Sequence, residues 1–542
     1  MLLKKFLVII SLTLTFFSSA YCQVDLLTPK TQNIEIHKII FVGDETIFSL
    51  ESFYAMADAY KDWLGISRDM PIRIEHLLHL KRAMNQKYKD AGYINSEVII
   101  DQLDEKNRIC QFRVVEGKLT KVIVLNSKYI SKSYIANFFF YKLGDAPLNM
   151  KPLEILIKRL KEIPGIQKID ASLEDGVRTG ESYLRIKIYE SFPFHISALY
   201  NNFGTEGTGK YRGILYANYT NLLGYADTLT GQYGLSEGTE YFASNYTFPI
   251  FYSDLNCTIG AGKAFAEIIT DHVKETGRIW HNSKNMFAKI RYLLYKNIYR
   301  RNKSHIHIET SVGVIGEHQK STQNTFHGLL KTETELFLAK VFHEFMYRER
   351  SQVFYISSRL GMPVQSKRND KKNYRENRFH HWETDITYQK YFFKVPIQID
   401  YQLQFDFASK WLPSSEKSSI GGYSSVRGYE ENLLIRDCCV ISRLEGLFTL
   451  FSSNINIFKK IHRFELKLSS FFDYGQGWNL DLNHNQQFSD RLMSIGTGLQ
   501  LNAGRFFRSV VYWGHALTEP ESRFEKIDRN NNIHFFIKTH FF

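Results

Sequence analysis

The stretch Ile397-Gln398-Ile399-Asp400-Tyr401-Gln402-Leu403-Gln404-Phe405-Asp406-Phe407 alternates without a break between apolar and polar residues. Successive side chains of a strand point to opposite faces, so one face here is aliphatic and aromatic while the other carries amides and carboxylates. A second segment repeats the pattern, with Ile306, Ile308, Val312 and Val314 opposite His305, His307, Glu309 and Ser311. A soluble β-sandwich also alternates, but its apolar face requires a second sheet, whereas a membrane barrel needs only lipid there. Beyond the amino-terminal run Phe6–Phe17, no stretch approaches the ~18 uninterrupted apolar residues of a spanning helix. A bilayer admits only helices or closed barrels, because backbone polar groups find no water in it. If the chain is integral to a membrane, it is a barrel.

Counting outward from Ile397, candidate strands begin near residues 192, 210, 226, 239, 254, 284, 304, 331, 350, 379, 395, 434, 462, 491, 505 and 532. That makes sixteen, an even number, as single-chain bacterial barrels require. Long connections follow odd-numbered strands: 265–283, 317–330, 361–378, 411–433, 475–490 and 517–531. Connections after even-numbered strands are mostly brief, such as Ala503-Gly504, although 451–461 breaks the rule. With a periplasmic amino terminus the long loops face outward. The last strand carries Phe535, Phe536, Phe541 and the terminal Phe542, similar to the signal by which outer-membrane barrels are recognised for insertion.

The ends and the composition agree with export from the cytoplasm. Residues 1–20 read as a secretory signal, with Lys4 and Lys5, the apolar run, and Ser18 and Ala20 at the small-residue positions before a cleavage site. Cys22 invites a lipoprotein reading, which the bulky Tyr21 opposes. Phe and Tyr number 42 and 32 against only 11 Pro, as strands with lipid-facing sides would have. The five cysteines are scattered, without metal-ligand or disulfide-framework spacing. A net charge of +13 is dispersed over the chain, which favours a solvated polar surface that touches outer-membrane lipid over a nucleic-acid partner. His380-His381 and the pair His305 and His307 have no carboxylate or cysteine at ligand spacing, so no metal and no cofactor is expected. No nucleophile elbow, P-loop or dinucleotide fingerprint occurs, and no catalytic residue is assigned.

Before residue 190 the pattern changes. A strand (34–42), two helical periods (50–64 and 72–89) and two strands (97–102 and 108–115) are followed by the same order in shorter form. The second copy runs through a strand at 119–125, helices at 132–141 and 153–163, and strands at 167–173 and 182–189. Gly92-Tyr93 ahead of a strand, with Val115-Glu116-Gly117 closing the unit, resembles a POTRA domain of two-partner secretion transporters. Ile163-Pro164-Gly165-Ile166, with Gly180 before the last strand, is similar to their second POTRA domain. The resulting expectation is a mainly β chain with a signal peptide (1–20), POTRA domains at 33–117 and 118–190, and a 16-stranded antiparallel transmembrane β-barrel at 192–542.

The sharpest motif lies in the loop between the eleventh and twelfth strands. Val426-Arg427-Gly428-Tyr429 resembles the sixth-loop hallmark of the POTRA–barrel outer-membrane assembly superfamily, and Phe471-x-Asp473-x-Gly475 resembles its companion on strand thirteen. Alternation independently places Phe464, Leu466, Leu468 and Phe472 toward lipid, leaving Glu465, Lys467, Ser469, Phe471 and Asp473 in the lumen. A loop folded inward would bring Arg427 to Asp473, and an Arg–carboxylate fork is geometrically selective.

The resemblance to two-partner secretion transporters of the haemolysin secretion/activation type implies an outer-membrane pore that passes a secreted exoprotein outward without nucleotide. It also implies periplasmic chaperones and the barrel assembly machinery as partners during biogenesis. An extended cargo chain would add to an exposed strand edge, for which Val98-Ile99-Ile100 is the candidate, although core packing accounts for the same residues. The alternative is a barrel-insertion factor of the same superfamily, and those usually carry more POTRA units. A passive porin leaves the front domains and the Arg427 motif unexplained. Many two-partner transporters carry a plug helix at the amino terminus. The segment Tyr21–Gln32 is too short for one, since a helix rises ~1.5 Å per residue and the membrane core is ~30 Å thick.

Overall fold

The computed structural model describes residues 35–67, 69–252, 254–270, 279–301, 304–325, 330–370, 373–375, 378–457, 460–480, 489–520 and 531–541. The signal segment 1–20, the segment Tyr21–Gln32 and Phe542 lie outside the described residues. The described residues fall into two compact units: 35–127 with 135–189, and 128–134 with 190–541.

The first unit contains two three-stranded sheets, the helices α1 (Leu50–Trp63), α2 (Ile74–Asp90) and α4 (Met150–Lys161), and, from Ile135 on, the helix α3 (Lys132–Leu143). Helix α1 begins where the Ser49 side chain accepts the Ser52 N–H, which satisfies one of the orphan donors of its first turn. On α2, Ile74, Leu77, Leu80, Met84 and Tyr88 recur every three or four residues and are all buried. They pack with Phe41, Phe53, Phe112 and Val114 into one core. Strand Lys38–Gly43 runs parallel to Ile109–Val115, which pairs antiparallel with the edge strand Glu97–Asp104. Glu116 closes this sheet: its buried carboxylate accepts the backbone N–H groups of Thr46 at 3.0 Å and Ile47 at 2.7 Å. In the second sheet Lys118–Leu125 runs parallel to Glu181–Glu190, which is flanked on its other side by Ile166–Asp175. Helix α4 buries Leu153, Leu156 and Leu160.

In the second unit sixteen strands close an antiparallel barrel. They are β1 (Phe194–Asn201), β2 (Arg212–Thr220), β3 (Thr228–Leu235), β4 (Thr239–Pro249), β5 (Leu255–Glu267), β6 (Trp280–Arg301), β7 (Ser304–Thr325) and β8 (Leu330–Glu349). They continue as β9 (Gln352–Asp370), β10 (His381–Phe392), β11 (Ile397–Ala408), β12 (Cys438–Ile457), β13 (Lys460–Trp478), β14 (Ser489–Ala503), β15 (Phe507–Ala516) and β16 (Asn531–His540). The short strand Asn373–Arg375 pairs antiparallel with the end of β9, and β16 returns to β1 through the register Phe536–His540 against Ser197–Asn201. Alternation holds on β13, where Leu468 and Phe472 are 38% and 40% exposed on the outer face while Ser469, Phe471 and Asp473 are buried on the inner one.

Several segments expected as connections are strand instead, three of them long. Residues 317–325 belong to β7, 361–370 to β9 and 451–457 to β12. The third removes the exception to the loop rule, because β12 runs to Ile457 and β13 begins at Lys460. A bulge between Thr449 and Phe451 hid it: Leu450 and Phe451, adjacent in sequence, are both exposed, so the period of two slips there. The twelfth strand starts at Cys438 rather than near 434, and Leu434–Arg436 pairs with Ser418–Ile420 as the stem of a loop.

Candidate functional site: a loop anchored in the lumen

The connection 409–437 leaves β11 and turns into the barrel. Above its short stem, Gly421 Nα donates to Ser425 Oγ at 2.8 Å and Gly422 Nα to the Val426 carbonyl at 3.0 Å, which tightens the turn that presents Arg427. Arg427 has no exposed surface, nor has Asp473. Nε of Arg427 donates to Asp473 Oδ2 at 2.8 Å and Nη2 donates to Oδ1 at 2.9 Å, a two-pronged fork. The Arg427 backbone N–H adds a third bond to Oδ2 at 3.0 Å. The remaining prong, Nη1, reaches Glu445 Oε2 at 2.7 Å.

The walls around this pair are aromatic. The guanidinium centre lies 3.6 Å from the Phe471 ring centroid and 4.7 Å from that of Tyr512, and the two rings meet edge to face. Such cation–π contacts strengthen when water is excluded. The Tyr512 hydroxyl donates to Glu445 Oε1 at 2.7 Å and receives the Gln500 carboxamide at 2.8 Å. Arg443, whose Nε is 3.9 Å from Asp473 Oδ1, joins the group, so two guanidiniums face two carboxylates. A buried charge that loses its partner costs about 3–5 kcal/mol, so the group holds the loop as a unit.

Two glycines of the motifs answer to close approach. Gly428 sits at φ +94°, and a Cβ there would lie 3.0 Å from the carbonyl carbon of Gly514 on β15. Gly475 faces the loop, where a Cβ would come within 2.7 Å of both Ile420 and Val426. Val426 and Tyr429 are buried in the apolar cluster of Ile420, Leu434, Cys439, Ile441, Leu492 and Ala516. The Tyr429 hydroxyl lies 2.8 Å from the Met493 carbonyl oxygen and 2.7 Å from that of Thr518. Asn532 and His534 of β16 bond the Gly428 carbonyl and N–H. The structure thus brings Val426, Arg427, Gly428, Tyr429, Phe471, Asp473 and Gly475 into one place. Sequence reasoning missed Glu445 and Tyr512. The pairing register carried the signal for Glu445, since it lies opposite Phe471 on the lumenal face of β12.

The candidate cargo edge is separate. Glu97–Asp104 is an edge strand, but Val98 is buried in the core and Ile100 packs against it. At Val98 the edge is already taken. Its N–H donates to Asn85 Oδ1 at 2.7 Å and its carbonyl accepts from Asn85 Nδ2 at 3.4 Å, so an added strand would displace that carboxamide. Phe542 lies outside the described residues. On the lumenal side of the loop, Tyr423, Arg443, Glu445, Asp400, Lys467 and Arg508 line a polar cavity of about 460 Å³.

Comparison with known proteins agrees with the barrel. The heme/hemopexin transporter protein HuxB of Haemophilus influenzae (strain Rd KW20) is 20% identical over 472 residues, which cover 84% of this chain and 79% of HuxB. The structure of CdiB from Escherichia coli superposes with a TM-score of 0.64 at 16% identity, covering 96% of this chain and 93% of CdiB. CdiB from Acinetobacter baumannii gives a TM-score of 0.57 at 17% identity, covering 100% and 98%. The family model described as haemolysin secretion/activation protein ShlB/FhaC/HecB matches residues 180–501, more than half of the sequence. With a sixteen-stranded barrel and this match together, the chain belongs to the haemolysin secretion/activation protein family and is an outer-membrane transporter of the two-partner secretion type.

Proposed function

We propose that this transporter exports one partner exoprotein through its own barrel, with the loop 409–437 obstructing the lumen at rest and the α/β unit receiving the cargo in the periplasm. The observation that carries the reading is the buried Arg427–Asp473 fork, because a passive pore gains nothing from a loop fastened across its lumen. The two small α/β sheets (residues 38–115 and 118–190) act in this reading as POTRA domains 1 and 2. Cargo would add as a strand to the edge Glu97–Asp104, beyond the position that Asn85 holds at Val98. Periplasmic chaperones and the barrel assembly machinery serve the transporter's own biogenesis, and its chemistry is transport rather than catalysis.

The test is co-expression with a large secreted protein, sought first in the neighbouring gene. Full-length transporter should release the exoprotein into the medium, while a chain lacking residues 35–189 should insert and release none. Equal release by both would overturn the role given to the α/β unit. Loss of other outer-membrane barrels in a strain lacking the transporter would favour the barrel-insertion alternative instead.

A further inference from the structure

The loop carries a second buried charge, nearer its start. Glu416 is almost wholly enclosed: Oε1 accepts from Gln319 Nε2 of β7 at 2.7 Å, and Oε2 accepts from Lys340 Nζ of β8 at 2.9 Å. His381 Nδ1 of β10 lies 3.7 Å from Glu416 Oε2 and 3.5 Å from Glu383 Oε1. Beside this cluster Leu412, also from the loop, is buried with Leu336, Leu338 and Phe379. His381, Glu383 and Glu416 stand close enough to hold a metal ion. The ammonium of Lys340 already takes the cation's place, however, at 2.9 Å from Glu416, 3.5 Å from Glu317 and 4.0 Å from Glu383.

The position of these partners matters more than their number. Glu416 is held by β7 and β8, with His381 of β10 3.7 Å away, whereas Arg427 is held by β12, β13 and β15 and the adjacent Gly428 by β16. In the closed strand order these are separate arcs of the wall on either side of β11, and between them Ser418 donates to Asp406 of β11, so the loop is fastened to both arcs. A strap fastened at one end can swing aside, and a strap fastened at both cannot. We propose that Glu416 is a positioning residue forming a second latch, with Lys340 and Gln319, and that the lumen opens only when this latch or the Arg427 latch is released. The inference rests on reading the loop as the lumenal obstruction.

Single-channel conductance of the full-length protein in planar bilayers tests it without any cargo, so failure of the export reading would leave the result intact. Glu416→Gln and Lys340→Met should each raise conductance at least twofold. The charge-exchanged pair Lys340→Glu with Glu416→Lys should return it toward the unaltered value. Glu344→Gln removes a lumenal carboxylate bound to Lys289 and Arg291, away from the loop, and should leave conductance unchanged. Unaltered conductance in both latch variants, or an equal rise in Glu344→Gln, would overturn the proposal. Where a latch variant fails to fold, Leu338→Cys with Leu412→Cys, oxidised across the apolar cluster, should lower conductance and recover with reductant. No response to oxidation would also overturn it.

Discussion

At its tip the loop 409–437 offers Arg427 to two carboxylates between two aromatic rings; at its stem it offers Glu416 to an ammonium, a carboxamide and an imidazole. Both sites are buried and both join the loop to the wall, yet they constrain the sequence very differently. At the tip, backbone crosses backbone at Gly428 and Gly514, and Arg427 uses three side-chain nitrogens in fixed directions, two on Asp473 and one on Glu445. Only Arg and Gly satisfy those demands. The stem uses long, flexible side chains that meet at their ends, and several residue types could fill each place. A site can therefore hold a loop firmly and still leave no motif.

The largest effect expected is from Arg427→Ala, which leaves Asp473 and Glu445 facing each other without the guanidinium that joins them. Undocking of the tip should become easier by about 3–5 kcal/mol. Hydrogen exchange at the Gly428 and Tyr429 amides should rise steeply, and the stem should follow more weakly. Asp473→Ala should do the same, and an Arg427/Asp473 exchange should recover part of the loss. Equal exchange in the variant and the unaltered protein would mean that the fork does not hold the tip.

Gly475→Ala comes next, since its methyl group would overlap Ile420 and Val426. Overpacking of this kind costs roughly 1–3 kcal/mol. Protease cleavage within 419–433 should become faster than in the unaltered protein but slower than in Arg427→Ala. Glu416→Gln should be milder at the tip still. It should raise exchange at 411–420 and leave 426–429 nearly as protected as before, because the tip keeps its own partners. If loss of Glu416 unlocked the tip as fully as loss of Arg427, the two anchors would be one.

The same contrast runs through what could be read from the sequence. The barrel and its strand number were legible wherever one face meets lipid and the other water, as along β11 and β13. The ends of β7 and β9 were not, because Glu317 through Thr325 is polar on both faces and alternation carries no signal there. At Leu450–Phe451 a bulge reversed the faces and disguised strand as loop. Arg427 and Asp473 were legible as a pair because their neighbours are dictated by shape. Glu416 was one carboxylate in a polar loop, and its partners Lys340 and Gln319 reach it only through closure of the barrel. The capping of Val98 by Asn85 was hidden for a similar reason, since an amide on α2 gives no sign of which strand it meets.

The smallest effect supplies a reference within the same molecule. Cys110 is fully buried in the amino-terminal unit, and burial pushes its thiol from 9.0 up to about 12. A raised thiol stabilises the folded unit fully below the ordinary value near 9, and that contribution is lost as pH rises from there toward about 12. Native Cys110 should resist alkylation at neutral pH in every loop variant, which would separate loop release from unfolding of the unit. Rapid labelling in Arg427→Ala would show that the damage had spread beyond the loop.

The central claim, that a loop fastened by Arg427 governs export through this barrel, is tested most directly by the exoprotein released into the medium. Cells carrying equal amounts of inserted, heat-modifiable transporter should release abundant exoprotein with the unaltered chain. They should release little with either Arg427→Ala or Asp473→Ala. Release at the unaltered level by both variants would contradict the account.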